Sequence, residues 1–502
     1  AHRPINARRE SARYRFVKLV RRHPYGAAAT AALVLAIAIG VLATLRATWR
    51  AHDERDRAEA SMTEAERVTD FMVDLFEVAS PEISLGRDVT AAEVLDQGAE
   101  QISVVLGGQP TSRARLLRAM GKAYHGLGRY DRAAELLRQS VEDRRRASGR
   151  DHPEVAESLL DLARALIALG DVDAADEALT ASLGICYRHG AAADPIRAAT
   201  LNLIAQVHQR RGDVEASERR HRQAVELNTR VLGGDHLATL ESVNDLAEIL
   251  AERRRFDEAK ALYRRALDGQ RAQLSSRHPD VIKTLNNLAT AQRAAGDLAA
   301  AEASMREVVA GRRHLYAEDH PHVALAYSNL GQVLSSQDRN DEALEWLESA
   351  LALSVELYGE AHPRVADLTY NVGFVLEELG RLEHAERRMA DALELRRAAH
   401  GPRHPAVAQS LVALAGLHHR MGRLEEAITE ARESREILRD ALPEDDYRQS
   451  SPQLQLDLLL TAAGRCDEAR PPLERAAALR RQYLPDGHPA LAAAVTALEA
   501  CG

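Results

Sequence analysis

Hydrophobic positions over residues 110–502 recur with two nested periods. Locally they fall at helical spacing, as in "DHPHVALAYSNLGQVLSS" (319–336), and the whole pattern returns every 42 residues. Laid out at that interval the chain gives nine rows without an insertion, which marks stacked repeats. One column reads Met120, Leu162, Ile204, Leu246, Leu288, Leu330, Val372, Leu414 and Leu456, each followed by Gly or Ala except at Asp457. Eight residues later stands Gly128, Gly170, Gly212, Gly296, Gly380, Gly422 and Gly464, with Arg254 and Asp338 in the two remaining rows. Five further on come Ala133, Ala175, Ser217, Ala259, Ala301, Ala343, Ala385, Ala427 and Ala469. A fourth column is proline (Pro153, Pro195, Pro279, Pro321, Pro363, Pro405, Pro489), broken by Leu237 and Tyr447 and preceded by His in six rows.

Each column has a mechanical reason. Proline is tolerated at the first helical position, where its missing N–H would have no partner, so His-Pro opens helix A of a row. The imidazole is read as bonding a backbone group of that end turn. The glycine supplies the positive φ that ends helix A, and the small residue after it lets helix B approach closely. The fold class that follows is all-α, a solenoid of about nine 42-residue helical hairpins. Upstream, Thr90-Ala91-Ala92-Glu93 fits a capping box and predicts a helix running to about Leu106.

Residues 26–45, "GAAATAALVLAIAIGVLATL", hold no charge for 20 positions, about 30 Å of helix. Tyr25 and Trp49 stand where interfacial aromatics sit. The net charge is −9, yet residues 1–25 carry eight basic side chains against Glu10, a local +7 that leaves −16 for the rest. By the positive-inside rule, 1–25 is cytoplasmic, 26–45 crosses the membrane once, and the chain beyond Trp49 is extracytoplasmic. That makes an inner-membrane, single-pass protein. Residues 46–109 read as a helical linker and N-terminal cap, the reading preferred here over a rigid transmitter or homodimer seam, with which it can coexist. The acidic remainder excludes a general nucleic-acid footprint. Cys186, Cys466 and Cys501 show no paired spacing, so neither a zinc site nor a disulfide framework is expected.

Leu-Ala or Leu-Gly, then Gly, then Ala at these offsets resembles the tetratricopeptide repeat. The 42-residue period and the openings HPEVA (152–156), HPHVA (320–324), HPRVA (362–366) and HPAVA (404–408) resemble its kinesin-light-chain subclass. This resemblance covers 110–502 and implies a right-handed α-solenoid that serves as a binding scaffold. A narrower one concerns "RPINARRESARYRFVKLVRRHP", the apolar run, and "RVTDFMVDLFEVASPEISLGRDVTAAEVLDQGAEQI". These are similar to the juxtamembrane and linker region of bacterial membrane serine/threonine kinases with C-terminal tetratricopeptide repeats. In that architecture the kinase is N-terminal and cytoplasmic. This chain has no Val-Ala-x-Lys strand after a Gly-rich loop, no His-Arg-Asp, no Asp-Phe-Gly and no Ala-Pro-Glu, so it is read as no enzyme.

Asparagine is the informative polar residue. Asn287, Asn329 and Asn371 stand nine before the glycine column, and Asn202, Asn244 and Asn286 ten before it, although Asn is a poor mid-helix residue. In the tetratricopeptide fold these offsets point to the concave groove, where a carboxamide can pair with the backbone of an extended peptide. Lys122, Arg164, Gln206 and Gln332, three positions further along, would line the same groove. An equal reading is that the amides bridge to the neighbouring repeat and bind nothing. The recurring histidines cannot share an ion, since equivalent residues lie about 8–10 Å apart and ligation needs about 2 Å. His418 and His419 read as surface residues. No catalytic set, metal or cofactor is expected, because an open solenoid offers no enclosed pocket. The function that follows is a membrane-tethered sensor of a protein or peptide, attached to a kinase. A free-standing membrane scaffold and a soluble cytoplasmic adaptor are the alternatives.

Overall fold

The computed structural model describes residues 90–441, 450–483 and 489–501, with Thr44, Arg46, Thr48, Trp49 and Arg55 besides. The basic segment 1–25, the span read at 26–45 (Thr44 excepted), most of the 46–109 linker, Tyr447 and His488 lie outside the described residues. Every element among the described residues is helical, and none is long and apolar enough to cross a membrane. The chain divides after Arg188 into two compact units.

The first unit holds α1 (Ala91–Val105), α2 (Pro110–Gly126), α3 (Tyr130–Ser148), α4 (Pro153–Leu169) and α5 (Val172–His189). The Glu93 N–H donates to Thr90 Oγ1 (3.2 Å) and the Thr90 N–H to Glu93 Oε2 (2.9 Å), the capping box expected from the sequence. The Tyr124 hydroxyl donates to Asp96 Oδ1 (2.5 Å) and ties α1 down on α2.

The second unit opens with a 3₁₀ turn (Gly190–Ala193) and runs through α6 (Asp194–Arg210), α7 (Val214–Leu232), α8 (Leu237–Glu252), α9 (Phe256–Gln273), α10 (Pro279–Ala294) and α11 (Leu298–Leu315). It continues with α12 (Pro321–Ser335), α13 (Asn340–Tyr358), α14 (Pro363–Glu378), α15 (Leu382–His400), α16 (Pro405–Arg420), α17 (Leu424–Ala441), α18 (Ser450–Ala462), α19 (Cys466–Tyr483) and α20 (Pro489–Ala500). In the first unit α1 to α4 each pack on the next, and in the second unit α6 to α20 do the same, with α8–α10, α12–α14, α14–α16 and α16–α18 also touching.

The columns act as their chemistry demands. His152, His278, His320, His362 and His404 each accept, at Nδ1, the N–H two residues on (3.1–3.3 Å). His236 does the same before Leu237, so the cap does not need the proline. All nine glycine-column residues have positive φ, including Arg254 (59°) and Asp338 (62°). The small column, Ala133 through Ala469 with Ser217, is wholly enclosed. On the facing helix, a Cβ built on Gly331 would stand 2.7 Å from Leu347 Cγ, and one on Gly121 2.6 Å from Leu137 Cγ.

Repeats are tied to one another at fixed offsets. Arg144, Arg312 and Arg396, on helices B, donate to the carbonyls of Glu154, His322 and Ala406, ten residues on, in the following helix A. Glu218–Arg255, Glu302–Arg339 and Glu386–Arg423 pair at 37 residues, and Lys260–Asp297 pairs there with the charges exchanged.

One expectation fails. Cys466 and Cys501 form a disulfide, 35 residues apart with Cα atoms at 5.3 Å. The spacing says nothing locally. The bond arises because α20 turns back onto α18 and α19, bringing its last residues to the start of α19. Cys186 is buried in α5.

Two substitutions test the packing. Ala343→Arg, which drives a long charged chain into an enclosed contact, is expected to cost roughly 3 kcal/mol or more. Arg254→Gly relieves a left-handed backbone and should add about 1 kcal/mol. Denaturant midpoints of the two variants, read against the parent chain, should move in opposite directions.

Candidate functional site

The face formed by helices A is organised by one register. A residue ten before the glycine column meets, in the next row, the residue nine before it, 43 positions along the chain. Asn329 Nδ2 donates to Asn286 Oδ1 (3.0 Å) and Asn287 Nδ2 to Asn244 Oδ1 (3.5 Å). Gln455 Nε2 donates to the Val412 carbonyl (2.9 Å). In the first unit the same rung is the ion pair Arg118–Asp161 (2.5 Å). Asn202 turns aside and donates to Ser242 Oγ (2.7 Å), while its Oδ1 lies 3.2 Å from Nδ1 of buried His221. Its register partner Asp245 has its carboxyl pushed up to about 6, mainly by burial, with Lys283 opposing.

Asn371 breaks the series. Its register partner is Ser328, whose hydroxyl accepts instead from Gln332 Nε2 (3.4 Å), and the Asn371 carboxamide has no hydrogen-bond partner among the described residues. It lies between two clefts. One of about 210 Å³ separates α12 from α14 and is lined by Pro321, Leu325, Asn329, Gln332, Leu368 and Asn371, with Arg364 and Asp367 at its edge. The other, about 250 Å³, shares Gln332 and Asn371 and adds Tyr370, Phe374 and, from α10, Arg293. Leu325 and Phe374 are 38% and 45% exposed, large apolar side chains open to solvent beside an open amide.

The sequence-predicted residues therefore divide. Asn329, Gln332 and Asn371 come together at these clefts. Asn202, Asn244 and Asn287 are spent on bridges between neighbouring repeats. Gln206 is half-buried on α6, one turn beyond Asn202. Lys122 and Arg164 are exposed in the first unit, Arg164 4.0 Å from Asp161. The sequence reading missed Leu325, Phe374, Tyr370 and Arg293. Phe374 could have been found, since it places an aromatic in the column that holds Lys122, Arg164, Gln206 and Gln332.

His418 was read as surface and is buried. It is held by Glu430 at Nδ1 (2.9 Å) and Glu386 at Nε2 (3.2 Å); its neighbour His419 is exposed. Adjacent positions on a helix are turned about 100° from each other, and here only the second reaches water.

Comparison with known proteins agrees with this geometry. The tetratricopeptide-repeat model matches residues 112–188, 196–272, 240–314, 280–355, 322–398 and 364–440, and a second model of the same description matches 458–490. No curated protein matches. Among solved structures, the BtubC (BKLC) protein from P. vanneervenii is 23% identical, with 46% of this chain and 95% of that one covered and a TM-score of 0.40. A Podosopora anserina putative kinesin light chain with nearly identical TPR-like repeats is 22% identical over 42% and 99%, with a TM-score of 0.37. The apo quorum sensor NprR from B. thuringiensis is 14% identical over 75% and 99%, with a TM-score of 0.54, a likeness of fold.

The His221 contact yields a pH dependence. Burial lowers this imidazole to about 4, below the ordinary value near 6.5. Between those values the unfolded chain takes up a proton that the folded chain refuses, so stability falls as pH drops from 6.5 through 4. His221→Gln should flatten that limb. A melting-temperature difference between parent and variant that does not change from pH 7 to pH 4.5 counts against it.

Proposed function

Because this chain belongs to the tetratricopeptide-repeat family, we propose that it binds a protein or an extended peptide on the helix-A face, at Asn371 and the two clefts beside it. The observation that carries this is the unpaired Asn371 carboxamide, in a register whose other amides are bonded. An amide left open between two exposed apolar side chains supplies a donor and an acceptor for a backbone unit, and the flanking clefts take its side chains. The fold is not a known catalytic one, which favours binding over chemistry. NprR, which shares the fold, is a quorum sensor, and a sensing role here is the corresponding proposal.

The setting is proposed from the sequence. Residues 26–45 anchor the chain in the inner membrane, with 1–25 in the cytoplasm and the repeats outside it. The Cys466–Cys501 disulfide supports that placement, since such bonds persist in oxidising compartments. The similarity of the juxtamembrane segments to membrane serine/threonine kinases supports a signalling attachment. An upstream reading frame lacking kinase motifs would remove it. Cleavage of the repeats by protease added to spheroplasts, with the cytoplasm sealed, is the expected result for the topology.

The binding claim is checked by paired variants. Asn371→Ala should abolish capture of peptides from an immobilised array by the full chain while leaving its melting temperature within about a degree, because no internal bond is lost. Asn329→Ala removes a rung and should cost about 1 kcal/mol of stability. Unchanged array binding by Asn371→Ala sinks the assignment.

A further inference from the structure

We infer that the ligand presents an acidic side chain to the Arg293 guanidinium, next to an apolar side chain seated against Phe374. This deepens the binding reading above and rests on it.

Arg293 leaves the last turn of α10 and lines the second cleft with Gln332, Tyr370, Asn371 and Phe374. It is half-buried, and its guanidinium has no ion-pair or hydrogen-bond partner among the described residues. Several other shielded arginines among the described residues are matched. Arg118 reaches Glu157 and Asp161, Arg113 grips Asp143 with two bonds, and Arg312 and Arg396 donate to main-chain carbonyls. Burial alone acts on Arg293 and pulls it below the ordinary guanidinium value, the mark of a cation with no counter-charge. A partly desolvated guanidinium gains more from an anion than an exposed one does, because water no longer screens the pair.

The anion is a carboxylate rather than a phosphate. Among the described residues Arg293 is the one cation lining this cleft, and a doubly charged phosphate would be left half-neutralised against aromatic walls. The group is held on a peptide, because Asn371 opens onto the same cleft with both an amide donor and a carbonyl acceptor. In an extended segment neighbouring side chains diverge and alternate ones share a face about 7 Å apart. The two adjoining clefts fit such a strand, with its backbone on Asn371, the acid toward Arg293 and an apolar residue on Phe374. The observed groove follows the seam between α12 and α14, which confines recognition to three repeats.

The test uses the full chain and fluorescein-labelled, C-terminally amidated hexapeptide pools. One pool has a central Leu/Phe-Glu-Leu/Phe, and the other has Gln in place of Glu. Fluorescence anisotropy should show the Glu pool binding at least about tenfold more tightly, the size of a charge-assisted hydrogen bond. Arg293→Gln should bring that ratio to one, Arg293→Lys should restore part of it, and Asn371→Ala should weaken both pools alike. A ratio near one in the parent chain, or one that survives in Arg293→Gln, overturns the carboxylate assignment; if both pools still bind and Asn371→Ala weakens them, the peptide-binding reading stands without it. If neither pool binds the parent chain, both fall. A free-acid Gln pool that gains as much as the Glu pool would move the carboxylate to the chain end and overturn the side-chain assignment. Unaltered melting of Arg293→Gln shows that binding, not folding, has been read.

Discussion

The close approach of helix A to helix B within each hairpin is the constraint on which the rest depends. It is made by two small-residue columns facing large ones, so that Gly331 lies under Leu347 and Gly373 under Met389. A methyl group added at either glycine would overlap the opposing side chain, and the enclosed alanine column leaves no slack on the other side. Because nearly every row repeats this contact, the spacing between hairpins is fixed. Any residue in one repeat then has a set of neighbours at constant chain distance in the next.

Those constant distances explain why unlike residues do the same job. At 37 residues the column of Glu218, Lys260, Glu302 and Glu386 uses Glu–Arg three times and Lys–Asp once, a second column pairs Asp151–Arg188 and Arg403–Asp440, and the reversals show that the offset selects for complementarity and not for a particular side chain. At 43 residues it uses an ion pair, amide pairs and an amide on a carbonyl. Half-buried polar groups between packed helices need partners, and the register supplies them. Exposed ion pairs of this kind add little stability singly; their effect lies in which hairpin can follow which.

Much of the architecture was legible because it rests on local chemistry. Histidine caps, glycine turns, enclosed alanines and the Thr90–Glu93 box each need only residues close in sequence, and the period does the rest. What was illegible needs two distant residues at once. Asn287 and Asn371 occupy the same column and read identically in sequence, yet one has Asn244 opposite it and the other Ser328. His418 looked like a surface residue until Glu386 and Glu430, on two other helices, were found against it. The Cys466–Cys501 bond depends on how α20 folds back, which no spacing rule encodes.

The same logic places the candidate site where it is. From α8 to α12 the helix-A face is built from amides that satisfy one another. At α14 the inner column turns aromatic, with Tyr370 under the Arg396 guanidinium (4.6 Å) and Phe374 open to solvent. A boundary between these two chemistries cannot be closed by either. Asn371, the last asparagine of the register, meets a serine already engaged, and Phe374 beside it stays 45% exposed. Arg293, reaching in from the repeat before, adds a charge that neither side neutralises. A donor, an acceptor, a ring face and a cation are left uncovered within two adjoining clefts, and their combined needs describe a molecule more closely than they describe a packing fault.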